Sequence, residues 1–508
     1  MDAEPVALEA PRSSWVLLIA VLVGSGCRTP SAAQRPLRRE LPMASDADGR
    51  TPLSDTPRGR DALVFAPVEH QPDGLALDSE LSDEVIGYRA EAIAERPEPL
   101  LEIGGRFLSS GPIPAGVELP TGQVFQPSLI VFGDLRSAVQ SHDSGSDVRT
   151  EWANRLDLFA NLSLSGTERV LLGLRPIDGE RGQFTGYSLE PDEDSGWESG
   201  FNSRIRTLYF EGEFGELFPG LDDGDRHALD YGLTIGRVPL LVQDGFLVDD
   251  DVDLLGVTRN SLTAEGVSNL RLTGLVGWSG VDQGGGADGE TGAMVGLLTA
   301  ADTSLFDSSM ALDLLFVDGH QRDSDACYLG GSSVQRLGVL DTTFRVATSV
   351  PLHGDTPSAT AGTLLASEVA YTLEGREHVV YANGFWSIDQ FSSAARGPDR
   401  GDAVARIGIL FEPVGMGTFG IPLGGALSDT VGGALGYQHF LNGTRGQIVF
   451  EIGGRGSLEG EHESALALGA RYQRAFGQHQ VLRLDAFVAT REGDDSSQGI
   501  RAEWRVKF

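Results

Sequence analysis

The sequence predicts an all-β fold: a transmembrane antiparallel up-and-down β-barrel of about 16–18 strands, with a flexible N-terminal tail. Three observations predict it. Between 126 and 508, short segments of about ten residues alternate apolar and polar side chains, the length a tilted strand needs to cross a bilayer. Glycine is abundant, at 67 of 508 residues, without the three-residue period of a collagen. No long amphipathic helix interrupts the alternating segments, which disfavours a βαβ architecture.

The final segment shows the pattern most clearly. Ile500, Ala502, Trp504, Val506 and Phe508 point one way, and Arg501, Glu503, Arg505 and Lys507 the other. Leu482, Leu484, Ala486 and Val488 alternate with Arg483, Asp485 and Phe487. Leu466, Leu468, Ala470 and Tyr472 alternate with Ala467, Gly469, Arg471 and Gln473, and Ile448, Phe450 and Ile452 with Gln447, Val449 and Glu451. Upstream, Leu156, Leu158 and Ala160 oppose Arg155 and Asp157. Val170 and Leu172 oppose Arg169 and Arg175, Leu312 and Leu314 oppose Asp313, and Phe344 and Val346 oppose Arg345. One such strand would suit a soluble sheet, but a long series with one wholly apolar face suits a closed barrel in lipid, where every backbone group must be paired internally.

The links predict an orientation. Asn442-Gly443 and Phe476-Gly477-Gln478 are tight, whereas 456–463 and 492–498 are longer and acidic; in such a barrel short links face the periplasm and long loops face outward. Between 363 and 437 this parity does not close. Glu374-Gly375-Arg376 is short where an outer loop is due and 392–401 long where a turn is due, so either a strand lies near 419–427 or one loop breaks the rule.

The N-terminus reads as an export signal. Residues 15–23 (WVLLIAVLV) are too few to span a membrane as a helix but fit a signal-peptide core. Gly24-Ser25-Gly26-Cys27 resembles a bacterial lipobox, with Gly24 where that pattern has Leu; the resemblance implies acylation of Cys27. Ser31-Ala32-Ala33 is a competing cleavage site. The expected organisation is a signal peptide at 1–26, a periplasmic tether at 27–98 with a short helix at 77–94, a lead-in at 99–125 and the barrel at 126–508.

Composition excludes several functions. A net charge of −34 argues against nucleic acid as a partner. Two cysteines, Cys27 and Cys327, make neither a disulfide framework nor a cysteine-rich metal site. The nine histidines are scattered, and no nucleophile elbow, His-Glu-x-x-His motif or phosphate loop is present, so no catalytic residue, metal ligand or cofactor is assigned. The acidic clusters Asp192-Glu193-Asp194, Asp222/Asp223/Asp225 and Asp249–Asp251 with Asp253 read as solvated loop charge ahead of a calcium rim.

If the apolar faces meet lipid, the polar faces line the lumen. Those positions are Asp134, Arg136, Arg155, Asp157, Arg169, Arg175, Arg271, Asp313, Arg345, Arg406, Arg483, Asp485, Arg501, Glu503 and Arg505. They read as the charge pairs a wet interior requires, ahead of an arginine ring selecting anions. A terminal aromatic closing an alternating strand, carried by Trp504, Val506 and Phe508, resembles the signal of bacterial outer-membrane barrels and implies insertion by the barrel-assembly machinery. Residues 233–260, with Gly236-Arg237 followed by an acidic stretch, look similar to alginate-export-like porins; Phe246 and Leu247 are apolar enough to fold inward as a constriction. The resemblance implies a porin-like barrel, and a barrel of about 16–18 strands encloses an aqueous channel, so a channel in outer-membrane lipid passing small polar solutes through a water-filled lumen is expected. A scaffold barrel of an export or electron-transfer complex, or a barrel hydrolase of lipids or peptides, are the alternatives.

Overall fold

The computed structural model describes residues 98–104 and 116–508, apart from 180–182, 192–194, 222–227, 286–291, 322, 374–376, 442–444, 460–463 and 494. Cys27, the signal peptide, nearly all of the tether, the first two acidic clusters and the links at 374–376 and 442–443 lie outside the described residues.

Eighteen antiparallel strands close into one barrel. They are β1 Ser128–Asp143, β2 Val148–Ser163, β3 Arg169–Leu174, β4 Ile205–Glu213, β5 Tyr231–Val242, β6 Val248–Ala264, β7 Val267–Ser279, β8 Ala293–Thr303 and β9 Ser308–Asp318. The circuit continues through β10 Ala326–Leu337, β11 Leu340–Pro351, β12 Gly362–Thr372, β13 Val379–Asp389, β14 Thr430–Leu441, β15 Gly446–Ser457, β16 Ala465–Phe476, β17 Gln480–Arg491 and β18 Ser497–Lys507. Each pairs with its sequence neighbour, and β18 pairs with β1 from Gln498↔Asp143 to Lys507↔Asp134, so no long edge is left open. The short strand Leu101–Ile103 pairs with Leu129–Val131 and prolongs this seam past the C-terminus.

Alternation sets the two faces as the sequence predicts. Ile500, Leu484, Leu466, Phe450 and Leu312 are 40–65% exposed on the outside, while Arg501, Glu503, Glu451 and Asp313 are buried inside. All five described tryptophans, Trp152, Trp197, Trp278, Trp386 and Trp504, are exposed. Trp278 and Trp386 lie close to one end of their strands, and Trp504 close to the other end of β18. Two aromatic girdles around an apolar band are the outer surface a bilayer covers.

The strand parity closes without an extra strand. β12 and β13 pair antiparallel, with Thr372 opposite Val379 at the short-link end, and 390–429 is a single long loop at the other end. Arg406 is therefore not on a strand face. The run Arg406–Phe411 alternates like a strand, but its backbone turns back on itself, as in Ile407 N to Val404 O and Phe411 N to Gly408 O.

That loop folds into the barrel. Ala394, Val404, Ile407, Leu410, Phe411 and Leu423 are buried in one apolar cluster with Leu315, Tyr328, Leu364 and Phe385 of the wall. The lumen is thus narrowed by packed chain.

A second element joins it. The tip of the β5–β6 hairpin leaves the wall where pairing of β5 with β4 ends, at Arg237↔Leu208. Gly236 sits there at φ 127°, and a Cβ would lie 2.2 Å from the Leu208 carbonyl oxygen, so this bend requires glycine. On the paired arm, a register shift falls between Asp253 and Leu254. Beyond it, Val248 and Asp249 pair with Ala395 and Arg396 of the long loop. Asp249–Asp251 and Asp253 are accordingly in a strand, not in a solvated loop.

Candidate functional site: the charged lumen

The site is the space the two inward elements leave open. Residues 393–397 lie between the hairpin tip and the β7–β8 loop. Ala394 N donates to Leu247 O at 2.8 Å, Gly397 N to Asp249 O at 2.9 Å and Arg396 N to Asp282 O at 2.9 Å. Phe246 and Leu247 are fully buried, as their apolarity suggested. Asp244 of the tip reaches Arg345 on β11, whose guanidinium also holds Glu368 and lies 5.5 Å from the Phe246 ring. Gln243 Nε2 donates to Asp313 at 2.7 Å.

The rest of the long loop is clamped to the opposite wall. Arg136 donates to Val414 O at 2.9 Å, Arg155 to Gly415 O at 2.6 Å and Gln140 to Met416 O at 3.2 Å. Glu151 accepts from Thr418 N at 2.7 Å and Thr418 Oγ1 at 2.8 Å. Between them Gly417, at φ 63°, passes so close that a Cβ would lie 2.0 Å from Glu151 Oε1. On β15, Glu451 accepts from Ile409 N and Leu410 N at 3.0 and 2.9 Å, and from Tyr381 Oη.

A cavity of about 1020 Å³ remains. Its lining runs from Gln473, Val481 and Lys507, at the short-link ends of β16–β18, to Ser279 and Asp282 at the other end of the barrel. Of the positions assigned from sequence, Arg136, Arg155, Arg175, Arg406, Arg483, Glu503 and Arg505 line it. Asp134, Asp157, Asp485 and Arg501 are their partners. Arg136 pairs with Glu503 at 2.8 Å, Arg155 and Arg175 with Asp157 at 2.7 and 2.9 Å, Arg483 with Asp485 at 2.8 Å, and Arg505 with Asp134. Arg501, fully buried, joins Asp485 to Glu503.

Arg169 and Arg271 stand apart from this lining. Arg169 is half-exposed and pairs with Glu211 at 2.6 Å; Arg271 is exposed on β7. Arg406, exposed on the inward loop, is the lining arginine to which no carboxylate is paired among the described residues.

Sequence reasoning missed the other half of the lining. Asp244, Asp249, Asp250 and Asp251 face the cavity from the hairpin tip, with Asp282, Asp399 and Arg400 beside them. Arg400 pairs with Asp249 and Asp251 at 3.5 and 3.1 Å, and Arg237 with Asp253 at 2.6 Å. No period marks these residues. Arg471, by contrast, was legible in its strand: it bridges Asp485 at 2.6 Å and Glu412 of the loop at 2.7 Å. Asp178, buried in the β3–β4 connection, has its carboxyl pushed up to about 6 by burial, against the pull of Arg155 and Arg175.

Comparison with solved structures bears on this geometry. OccK2 (OpdF) of Pseudomonas aeruginosa is similar, with a TM-score of 0.50 and 11% identity over 74% of this chain and 98% of that one. The fold is that of a porin barrel. OpdK of the same organism, solved with vanillate, matches with a TM-score of 0.49 and 12% identity, over 75% of this chain and 98% of that one. OccK5 (OpdH) matches with a TM-score of 0.47 and 14% identity over the same shares. At these identities the likeness is one of fold. No family model matches the sequence, and no curated protein does.

Proposed function

We propose that this porin-fold barrel is a bacterial outer-membrane channel through which small polar solutes diffuse passively. One observation carries the reading: a charged cavity of about 1020 Å³ lies inside a closed barrel, with lining from both ends of the strands. The apolar band and its tryptophans support placement in outer-membrane lipid. Short links then lie at the periplasm and the 390–429 loop enters from outside.

The wall arginines support structural pairing over a selective ring, because each of Arg136, Arg155, Arg175, Arg483 and Arg505 has a carboxylate. Arg136, Arg155 and Arg483 also hold the inward loop, all five keep the cavity wet, and they are the pore-lining set together with the hairpin-tip aspartates. Trp504, Val506 and Phe508 serve as the assembly signal, and Cys27 as the acylation site. Phe508 is tied into the closure, its amide donating to Gly133 O at 3.0 Å and its carbonyl accepting from Gly133 N at 2.8 Å.

The test is reconstitution of the purified chain in planar bilayers and in sugar-loaded liposomes. Stepwise conductance and swelling with small solutes are expected. A folded barrel that neither conducts nor swells liposomes would overturn the reading in favour of a scaffold.

A further inference from the structure

One stretch of the outer, lipid-side surface is concave. On β13–β17 the small side chains of Ala382, Ala470 and Ala486 leave the strand backbone as the floor of an apolar groove of about 920 Å³. Leu435, Phe450 and Leu468, each more than half exposed, stand around it. Val380, Tyr437, Phe450, Ala470 and Ala486 are successive register partners, so the groove crosses adjacent strands on one level.

The short-link end of β14–β17 is basic. In a chain of net charge −34, neither 437–450 nor 471–484 contains a single carboxylate. His439 and Arg474 share the outward parity of Leu435 and Leu468, and each lies two residues before its strand ends, at Leu441 and Phe476. Register sets Arg474 level with Leu441, two residues beyond His439 and two strands away, so their backbones stand roughly 12 Å apart along the rim. Tyr437 Oη meets His439 Nδ1 at 3.2 Å, which leaves Nε2 to face a ligand. His378 stacks on His439 with ring centroids 4.0 Å apart and accepts from Phe440 N, which fixes the pair. Arg474 lies against the Phe476 ring at 5.3 Å.

We propose that this groove and its rim form a binding site for one glycerophospholipid with an anionic headgroup. The acyl chains lie in the groove, where the alanines admit them closer to the wall than elsewhere on the band. The phosphate sits at the periplasmic rim between His439 and Arg474. Apolar burial supplies the binding and the basic rim the headgroup preference, since basic groups near a membrane surface attract anionic lipids. The site depends on the barrel's placement in the membrane and not on conduction through its lumen.

Native mass spectrometry of the full chain in mild detergent, with equimolar dioleoyl phosphatidylglycerol and dioleoyl phosphatidylcholine, tests it. One phosphatidylglycerol retained per chain is expected, favoured on the order of ten-fold over phosphatidylcholine. H439Q/R474Q should abolish the preference and leave weak, equal adducts. A470F/A486F, which fills the groove from the lipid side, should lose both lipids. Heat-modifiable migration in gels checks that each variant is a folded barrel. Equal retention of the two lipids by the parent chain overturns the proposal, as does undiminished phosphatidylglycerol on A470F/A486F. Conductance is read separately, so that a non-conducting barrel that still retains phosphatidylglycerol counts against the channel alone.

Discussion

The two halves of the barrel's interior are built on different physics. Against β7–β14 the inward chain is dry: Phe246, Leu247, Ile407 and Phe411 pack on Leu315, Tyr328, Leu364 and Phe385, and Phe385 meets Phe411 edge-on at 5.8 Å. Against β18, β1 and β2 it is held by charge: Arg136 and Arg155 are paired to Glu503 of the next strand and Asp157 of the same strand, and their remaining N–H groups grip the loop's carbonyls. The dry half gains from area removed from water and tolerates no gap. The charged half leaves room for solvent and solute, because ion pairs beside a cavity keep part of their hydration. A constriction needs both: one side to hold the loop in place, the other to keep a path open.

The largest effect should come from removing the shared element. Replacing 403–423 with a short Gly-Ser link should raise single-channel conductance several-fold; unchanged conductance would mean that the loop does not set the constriction. Next, Leu410→Ala attacks the dry half, where truncating a buried leucine costs about 2–5 kcal/mol. Limited proteolysis should then cut the loop, and the current should become noisy between open levels.

Glu151→Ala attacks the charged half and removes the acceptor of Thr418 N and Oγ1, and leaving one buried N–H unpaired costs about 1–3 kcal/mol. Loop cleavage should be slower than in Leu410→Ala; the reverse order would show that charge, not packing, carries the loop. Arg406→Glu should shift the reversal potential in a salt gradient toward cations while leaving barrel stability unchanged, because this arginine lines the cavity without a carboxylate partner among the described residues. The smallest effect belongs to Asp178. As the pH rises through about 6 its carboxyl ionises beside Arg155 and Arg175, so any anion preference should fall there, and Asp178→Asn should remove that step.

The wall and its contents were unequally legible in the sequence. A strand in a barrel meets lipid on one side and water or protein on the other, so each residue of β18 declares its face by identity alone: Ile500 and Trp504 outward, Arg501 and Glu503 inward. A range of about 16–18 strands and the wall half of the charged cavity, Arg136 through Arg505, followed from that period, while the parity between 363 and 437 did not. The lining aspartates did not. Asp249–Asp251 sit in a cluster that reads equally well as solvated charge, and only the bend at Gly236 carries them inward. Arg406 was placed on the lining for the wrong reason, since Arg406–Phe411 carries a strand's alternation without a strand's backbone.

What the sequence determined by itself is the period-two wall and its two faces, because those depend on neighbours one and two residues away. What the tertiary structure alone decided is the interior. Whether an apolar run such as Ile407–Phe411 joins the wall or packs inside it depends on Leu364, Phe385 and Glu451, distant in the chain, and on the hydrogen bonds that only a closed barrel brings within reach.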